Sequence, residues 1–263
     1  MTTFTALIAA ISGGPDSYNA TIYDNWLQGR TTYGGLSGAL CVEAAQRSLE
    51  NPPPLRSAQF LFVGPVSGTT QIRPKLVRRG KSTAFMTVDL ESDGQLAVRA
   101  SLVFAAPRES GHHYIAVPMP DVAPPEGADP FFPHQQGPNF ASQFEVRRAG
   151  GSALVSGAAA PDFLVWARHL DPAAGGSLTA LIALADVLPP PALALPKTFK
   201  PISTMTWAVD LPSHTALPGA GEWLLLRSTA ETIEDGYSTQ SMTLWNAAGE
   251  PLMLGRQNVA VFI

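Results

Sequence analysis

The feature that most constrains the fold of this chain is a pattern that occurs twice, over residues 34–104 and again over residues 175–262. Each copy opens with a glycine pair and an apolar segment of helical length, and continues with strand-like segments. A Gly-x-Ser motif occurs late in each copy, followed by a strand, a tight turn and a closing strand. A helix followed by antiparallel strands, repeated in tandem, indicates two fused copies of one domain.

The two apolar segments predict two central helices, over residues 35–49 and 175–188. The first is apolar around most of its circumference, so it must be enclosed on all sides rather than covered on one face. Three consecutive prolines follow each segment, at 52–54 and 189–191, and stop the helix. The predicted fold class is therefore α+β, with a long curled antiparallel sheet wrapped around buried helices.

Alternating and apolar runs bounded by turn residues predict the strands of this sheet. A proline- and glycine-rich segment, residues 111–138, separates the copies and is typical of a linker. We therefore expect domains over residues 1–110 and 139–263. The predicted strands cover residues 17–23, 57–63, 69–78, 83–91, 95–105, 140–148, 161–170, 202–210, 222–233, 237–246 and 251–262.

Composition excludes several classes of protein. Charged residues make up 14% of the chain, against about 25% in an average soluble protein, which indicates much buried surface. The net charge is −4, and the sequence has no basic block. A nucleic-acid partner is therefore not expected. The lone cysteine, Cys41, cannot form an intrachain disulfide, and we interpret it as a buried small apolar side chain. The apolar stretch 4–11 is too short for a membrane span and lacks the preceding positive charge of a signal peptide, so we expect a cytoplasmic protein.

Motifs of other reaction classes are missing from the sequence. It has no Gly-x-Ser-x-Gly elbow in a strand–helix setting, which disfavours a serine hydrolase. The histidines lack metal-site spacing, and no glycine-rich loop suited to cradling a phosphate is present. We therefore predict neither a metal nor a cofactor.

Six local motifs follow one another along nearly the whole chain. They are Tyr33-Gly34-Gly35, Phe60-Leu-Phe-Val-Gly-Pro-Val66, Arg78-Arg79-Gly80-Lys-Ser82, Trp166-Ala-Arg168, Ile202-Ser-Thr-Met-Thr-Trp207 and Gly249-Glu-Pro-Leu-Met-Leu-Gly-Arg-Gln257. In this order they resemble the bacterial thioesterase II type of acyl-CoA thioesterase. The resemblance implies a double hotdog fold, an acyl-CoA substrate and further pairing into a homodimer or higher oligomer.

The same resemblance implies a catalytic water held by an acid, a hydroxyl and a glutamine. The acid corresponds to Asp186, which interrupts the second apolar helix, and the glutamine to Gln257 on the last strand. Pro201 stands where the family has threonine, so Ser203 or Thr204 would supply the hydroxyl. The alternatives are a solvent-facing Asp186 near the helix end, a structural hydrogen bond at Gln257, and ordinary strand residues at 203 and 204.

Thioester hydrolysis also needs hydrogen-bond donors for the oxyanion that develops during the reaction. The amides that open a central helix are suited to this role, at Gly34 and Gly35 or at Gly175 and Gly176, unless these glycines only mark ordinary loop-to-helix junctions.

The basic residues Arg78 and Arg79 are candidates for binding coenzyme A phosphates, and a solvated strand edge is the alternative.

The two copies differ at the positions implied for catalysis. In the first copy, Glu43 stands near the level of Asp186, and Leu102 takes the place of Gln257. We therefore expect one active site per chain and a structural role for Glu43. Two functions remain open from the sequence, an acyl-CoA thioesterase and a non-catalytic acyl-CoA-binding module.

Overall fold

A computed structural model of the chain describes residues 1–132, 137–212 and 217–263. Within these ranges lie three α-helices, α1 (Phe4–Ala9), α2 (Gly34–Ser48) and α3 (Leu178–Ala185). The strands are β1 (Ser12–Gly14), β2 (Ser17–Thr21), β3 (Leu27–Gln28), β4 (Thr31–Thr32), β5 (Leu55–Phe62), β6 (Thr69–Arg79), β7 (Thr83–Ser92), β8 (Gln95–Ala105), β9 (Phe144–Gly151), β10 (Asp162–His169), β11 (Ile202–Asp210), β12 (Leu224–Glu234), β13 (Tyr237–Trp245) and β14 (Pro251–Val261).

A single sheet of 12 strands holds both copies, in the order β1-β2-β6-β7-β8-β5-β11-β14-β13-β12-β10-β9. Every neighbouring pair is antiparallel. The copies join at the middle of the sheet, where β5 pairs with β11 and Phe60 lies opposite Trp207. This arrangement confirms the predicted α+β class and the tandem antiparallel architecture.

The core lies between one face of the sheet and the helices α2 and α3, which also pack against each other. Gly38 in the middle of α2 lets this helix lie close to the sheet, because a Cβ there would lie 3.3 Å from the Trp207 ring on β11. Cys41, also on α2, is fully buried as predicted. Enclosure of α2 by sheet and partner helix explains its apolar character on all sides.

The second central helix is shorter than the predicted span of 175–188 at both ends. Gly176 has a φ of +63°, outside the right-handed helical region, so the helix begins only after Ser177, whose hydroxyl accepts a hydrogen bond from the amide of Ala180. It ends at Ala185, and Asp186 forms the C-cap. Asp186 therefore follows the helix rather than lying within it.

Residues 4–9 form the short helix α1 and residues 27–32 the β3–β4 hairpin, two elements that the predicted strand pattern does not include. The start of one predicted strand was wrong. Strand β9 begins at Phe144 instead of residue 140, because residues 139–143 form a 3₁₀ turn. This turn places Phe140 in a stack on Tyr33, with ring centroids 3.9 Å apart. The apolar contact therefore replaces the expected start of the strand.

The described part of the predicted linker crosses the outer face of the second copy. Trp166 and Trp245 donate hydrogen bonds from their indole nitrogens to the carbonyls of Ala123 and Val117, at 2.9 and 2.8 Å. Residues 133–136 of the linker lie outside the described residues, and the domain boundaries stay a prediction. No helix in the described ranges is long and apolar enough to cross a membrane.

Candidate active site

The two central helices run antiparallel, so the end of α3 meets the start of α2. Tyr33, which precedes α2, donates a hydrogen bond of 2.7 Å from its hydroxyl to the carbonyl of Ala183 in the last turn of α3. A Cβ on Gly35 would lie 2.6 Å from the same carbonyl oxygen. The absence of a side chain at Gly35 therefore permits the contact that brings Asp186 to the N-terminus of α2.

Asp186 is held by groups from both copies of the repeat. The side-chain amide of Gln257 on β14 donates a hydrogen bond of 2.6 Å from Nε2 to Asp186 Oδ1. The backbone amide of Gly35 also donates to this carboxylate. A Cβ on Gly34 would lie 2.7 Å from Asp186 Oδ2, so a larger residue here would displace the carboxylate. These contacts argue against the solvent-facing alternative for Asp186.

Burial raises the pKa of the Asp186 carboxyl to about 7, although the hydrogen bonds from Gln257 and Gly35 act in the opposite direction. Removal from water disfavours the charged form of a carboxyl group, whereas donated hydrogen bonds favour it. The effect of desolvation on this pKa is larger than that of the two hydrogen bonds. A carboxyl group that titrates near neutrality is suited to act as a general base in physiological conditions.

A cavity of about 390 Å³ borders Asp186 and is lined by both copies of the repeat. The first copy contributes the start of α2 and residues 62–66, and the second contributes Asp186, Gln257 and residues 188–190 and 202–204. The structure thus brings Asp186, Gln257, Ser203, Thr204 and Gly34 to one cavity, with Gly35 directly behind Asp186. A pocket between subdomains with a few convergent polar groups is a typical ligand site.

The two candidate hydroxyls at this cavity lie in different environments. Thr204 is partly buried and pairs with Val259, a fully buried residue of β14, whereas Ser203 is exposed and pairs with Ala260. Because directly opposed residues of antiparallel strands point to the same face, Thr204 lies on the inner face of the sheet. The β11 register shifts between Thr204 and Thr206, and such bulges re-aim side chains next to active sites.

The other glycine pair lies at the far end of α3, away from this cavity. The amide of Gly176 donates to the carbonyl of Pro218 at 2.8 Å, and a Cβ on Gly175 would collide with the backbone of Ala220. Residues 218–220 therefore lie against the segment that leads into α3. Gly175 and Gly176 therefore do not line the Asp186 cavity. Gly34 lines it, and the amide of Gly35 donates a hydrogen bond to Asp186.

Arg78 and Arg79 lie at the end of β6, beside the C-terminal end of α2. Arg79 donates to the carbonyl of Glu50 at 3.4 Å, just beyond the helix. Since α2 has 15 residues, a length of about 20 Å separates this end from the cavity. The two arginines do not line the cavity, and their contact with coenzyme A stays a prediction.

Glu43 occupies the position in the first copy that corresponds to Asp186, beside the start of α3. Its carboxylate accepts a hydrogen bond of 3.0 Å from the hydroxyl of Thr179 and forms a 2.7 Å ion pair with Arg47. The side chain of Leu102 is buried and apolar. Glu43 thus has structural partners and no amide comparable to Gln257. Among the described residues, no group of three or more His, Cys, Asp or Glu side chains is arranged to hold a metal ion.

The geometry agrees with what similarity to known proteins indicates. The acyl-CoA thioesterase C-terminal domain model matches residues 120–261, and the N-terminal domain model of the same family matches residues 22–105. The chain belongs to the acyl-CoA thioesterase family. No curated protein matches it.

Solved structures share the fold of this chain over nearly its whole length. A protein of unknown function with a hot dog fold from Alicyclobacillus acidocaldarius is 25% identical, with a TM-score of 0.90 over 100% of this chain and 99% of the other. A putative thioesterase II from Thermobifida fusca YX is 21% identical, with a TM-score of 0.83 over 100% and 98%. The acyl-CoA thioesterase II TesB2 of Mycobacterium marinum is 16% identical, with a TM-score of 0.73 over 97% and 96%. The double hotdog fold is thereby confirmed.

The structural roles of two residues near this site were not predicted from the sequence. Gln240 on β13 lies directly opposite Gln257, and Tyr33 anchors the junction of the two helices. A signal for Gln240 existed, because alternation along β13 places Ser238 and Gln240 on the inner face, where apolar residues are the norm.

Proposed function

We propose that this protein hydrolyses acyl-CoA thioesters by a water molecule that Asp186 activates. The observation that carries the proposal is the position of Asp186, a partly buried carboxyl with a pKa near 7 between Gln257 and the start of α2. It borders a cavity large enough to admit the thioester group. Family membership supports the substrate class.

The proton transfers of the proposed reaction involve only water, Asp186 and the coenzyme A sulfur. The ionised Asp186 accepts a proton from water, and the oxygen of that water forms a bond to the thioester carbonyl carbon. The carbonyl oxygen becomes an oxyanion. When this tetrahedral intermediate collapses, the C–S bond breaks, and the coenzyme A sulfur takes the proton from Asp186. The products are the free acid and coenzyme A.

Gln257 and Thr204 complete the environment of the water in this proposal. Gln257 uses one N–H for Asp186, so its second N–H is available to the water or to the carbonyl oxygen. Thr204 is preferred over Ser203 because its backbone position shares the inner face of the sheet with Gln257. Its hydroxyl can both donate and accept a hydrogen bond, so it can orient the water without adding charge.

The N-terminus of α2 is suited to stabilise the oxyanion. The first amides of a helix lack partners within the helix, and the helix dipole favours negative charge at this end. Gly34 lines the cavity, so an acyl group can approach the backbone there. In this proposal the base comes from the second copy of the repeat and the oxyanion donors come from the first.

The test is thiol release from a panel of acyl-CoA substrates, from short to long acyl chains, measured with a thiol-reactive dye. We expect release by the wild type and a loss of about 10²–10⁴-fold in kcat for D186N. The control variant E43Q makes the equivalent change in the first copy and should retain wild-type turnover. Unchanged release by D186N would refute the role of Asp186. Tight binding of acyl-CoA without release would instead favour the acyl-CoA-binding module.

A further inference from the structure

A line of buried polar side chains extends from Asp186 away from the cavity. Behind Gln257, on the inner face of the neighbouring strands, lie Gln240 and Ser228. Gln257 is 2% exposed, and the other two are fully buried. Gln240 Nε2 donates to Gln257 Oε1 at 2.9 Å and lies 3.4 Å from Ser228 Oγ. Polar groups in such a place are costly unless they are paired, so their arrangement calls for an explanation.

The direction of each hydrogen bond in this line follows from the carboxylate at its end. An ionised Asp186 can only accept, so Gln257 must present its NH₂ group to it. The Gln257 carbonyl oxygen then points away from the site and needs a donor. Gln240 supplies that donor, and a residue without an N–H or O–H at this position would leave the oxygen buried and unpaired.

We propose that Gln240 is a positioning residue, which fixes the amide of Gln257 so that its NH₂ group always faces Asp186 and the reacting water. This proposal rests on the proposed hydrolysis at Asp186. Gln240 lies behind Gln257 and does not line the cavity, so its effect on the reaction passes through Gln257.

Without Gln240, only Asp186 distinguishes the nitrogen of the Gln257 amide from its oxygen, and that oxygen loses its buried donor. In the flipped orientation Gln257 Oε1 faces Asp186 Oδ1, and these two hydrogen-bond acceptors repel each other. The repulsion is strong because the hydrogen bond that now joins Gln257 Nε2 to Asp186 Oδ1 is only 2.6 Å long. The ionised form of Asp186 loses a favourable donor for part of the time. The fraction of ionised Asp186 therefore falls and the water is less well oriented, whereas the cavity walls that would contact the acyl chain stay unchanged.

The test compares the wild type with Q240M, which keeps a similar unbranched volume and removes the amide. We expect kcat for thiol release to fall about tenfold, the scale of one hydrogen bond, with KM changed less than about twofold. We also expect the titration midpoint of Asp186 to rise by about 0.5 or more, followed by the ¹³C NMR signal of its carboxyl carbon. The assignment of that signal comes from its loss in D186N.

The control is S238A, a change on the same face of the same strand, two residues from Gln240. Ser238 is fully buried, and its hydroxyl has no hydrogen-bond partner within the described ranges. We expect S238A to leave both kcat and the Asp186 midpoint at the wild-type value. A second variant, Q240N, keeps an amide that is too short to reach Gln257 and serves if Q240M does not fold.

Wild-type kcat together with an unchanged Asp186 midpoint in a folded Gln240 variant would overturn the proposal. So would S238A shifting both quantities as far as Q240M does. If the wild type itself releases no thiol, the proposed function fails, and the NMR midpoint alone then decides the role of Gln240. A rise in Q240M would support the fixed amide, and no change would refute it.

Discussion

Replacing Asp186 by Asn removes a partly buried charge and preserves the shape of the side chain. Burial raises the pKa of this carboxyl from 3.8 to about 7 in the folded protein. Between these two values the folded protein holds a proton that the unfolded chain has already lost. The wild type therefore loses stability as the pH rises from about 4 to about 7, and the loss is complete above that window.

The size of this effect follows from the two pKa values. At about 1.36 kcal/mol per pKa unit, the interval between 3.8 and 7 corresponds to about 4 kcal/mol. Asp186 borders the cavity and keeps part of its contact with solvent. We therefore expect about half of this amount, roughly 2 kcal/mol. Since D186N cannot titrate here, its free energy of unfolding should exceed that of the wild type by this amount at about pH 8 and hardly at all at about pH 4.

Urea unfolding followed by tryptophan fluorescence, at about pH 4 and about pH 8, measures this difference. The control D210N makes the same chemical change at an exposed position of β11. If the advantage of D186N over the wild type were equal at the two pH values, the inference of a desolvated Asp186 carboxyl would be wrong. If the free energy of unfolding of D210N also increased relative to the wild type between the two pH values, the cause would be a general effect of lost negative charge.

Three further variants test other parts of the site. In G34A the new Cβ would lie 2.7 Å from Asp186 Oδ2, so we expect kcat to fall about tenfold or more while thermal unfolding shows a fold of nearly wild-type stability. T204V should lower kcat by about tenfold or more, whereas S203A should change it less than about twofold, and equal losses would refute the preference for Thr204. Y33F removes the hydrogen bond to the Ala183 carbonyl and should lower the free energy of unfolding by about 1–3 kcal/mol; an unchanged urea midpoint would show that this bond does not stabilise the helix junction.

The repeat and the periodicity of its segments predicted the architecture well, because both signals reflect local geometry and burial. The tandem pattern implied two enclosed helices and one continuous sheet, and both are present. The ends of α3 were not predictable from its apolar residues, which continue through Val187 and Leu188. The left-handed backbone at Gly176 and the C-cap at Asp186 decide them, and neither is encoded in the hydrophobic pattern.

The site was only partly predictable because it is assembled across the two copies. Resemblance to the family pointed to Asp186 and Gln257, which the fold then places within 2.6 Å of each other. It could not distinguish Gly34 and Gly35 from Gly175 and Gly176, because both pairs open a central helix. The antiparallel packing of α2 and α3, together with the loop over Gly175, separates them. Cross-strand pairing also brings Gln240 to Gln257, and register is not readable from one strand alone.

The most direct test of the account is the pH dependence of kcat/KM for thiol release by the wild type. The proposal that the ionised form of Asp186 is the base predicts that kcat/KM rises tenfold per pH unit in acid solution and levels off above an apparent pKa near 7. A profile that is already flat above about pH 5, the behaviour of an ordinary carboxyl group, would contradict the central claim.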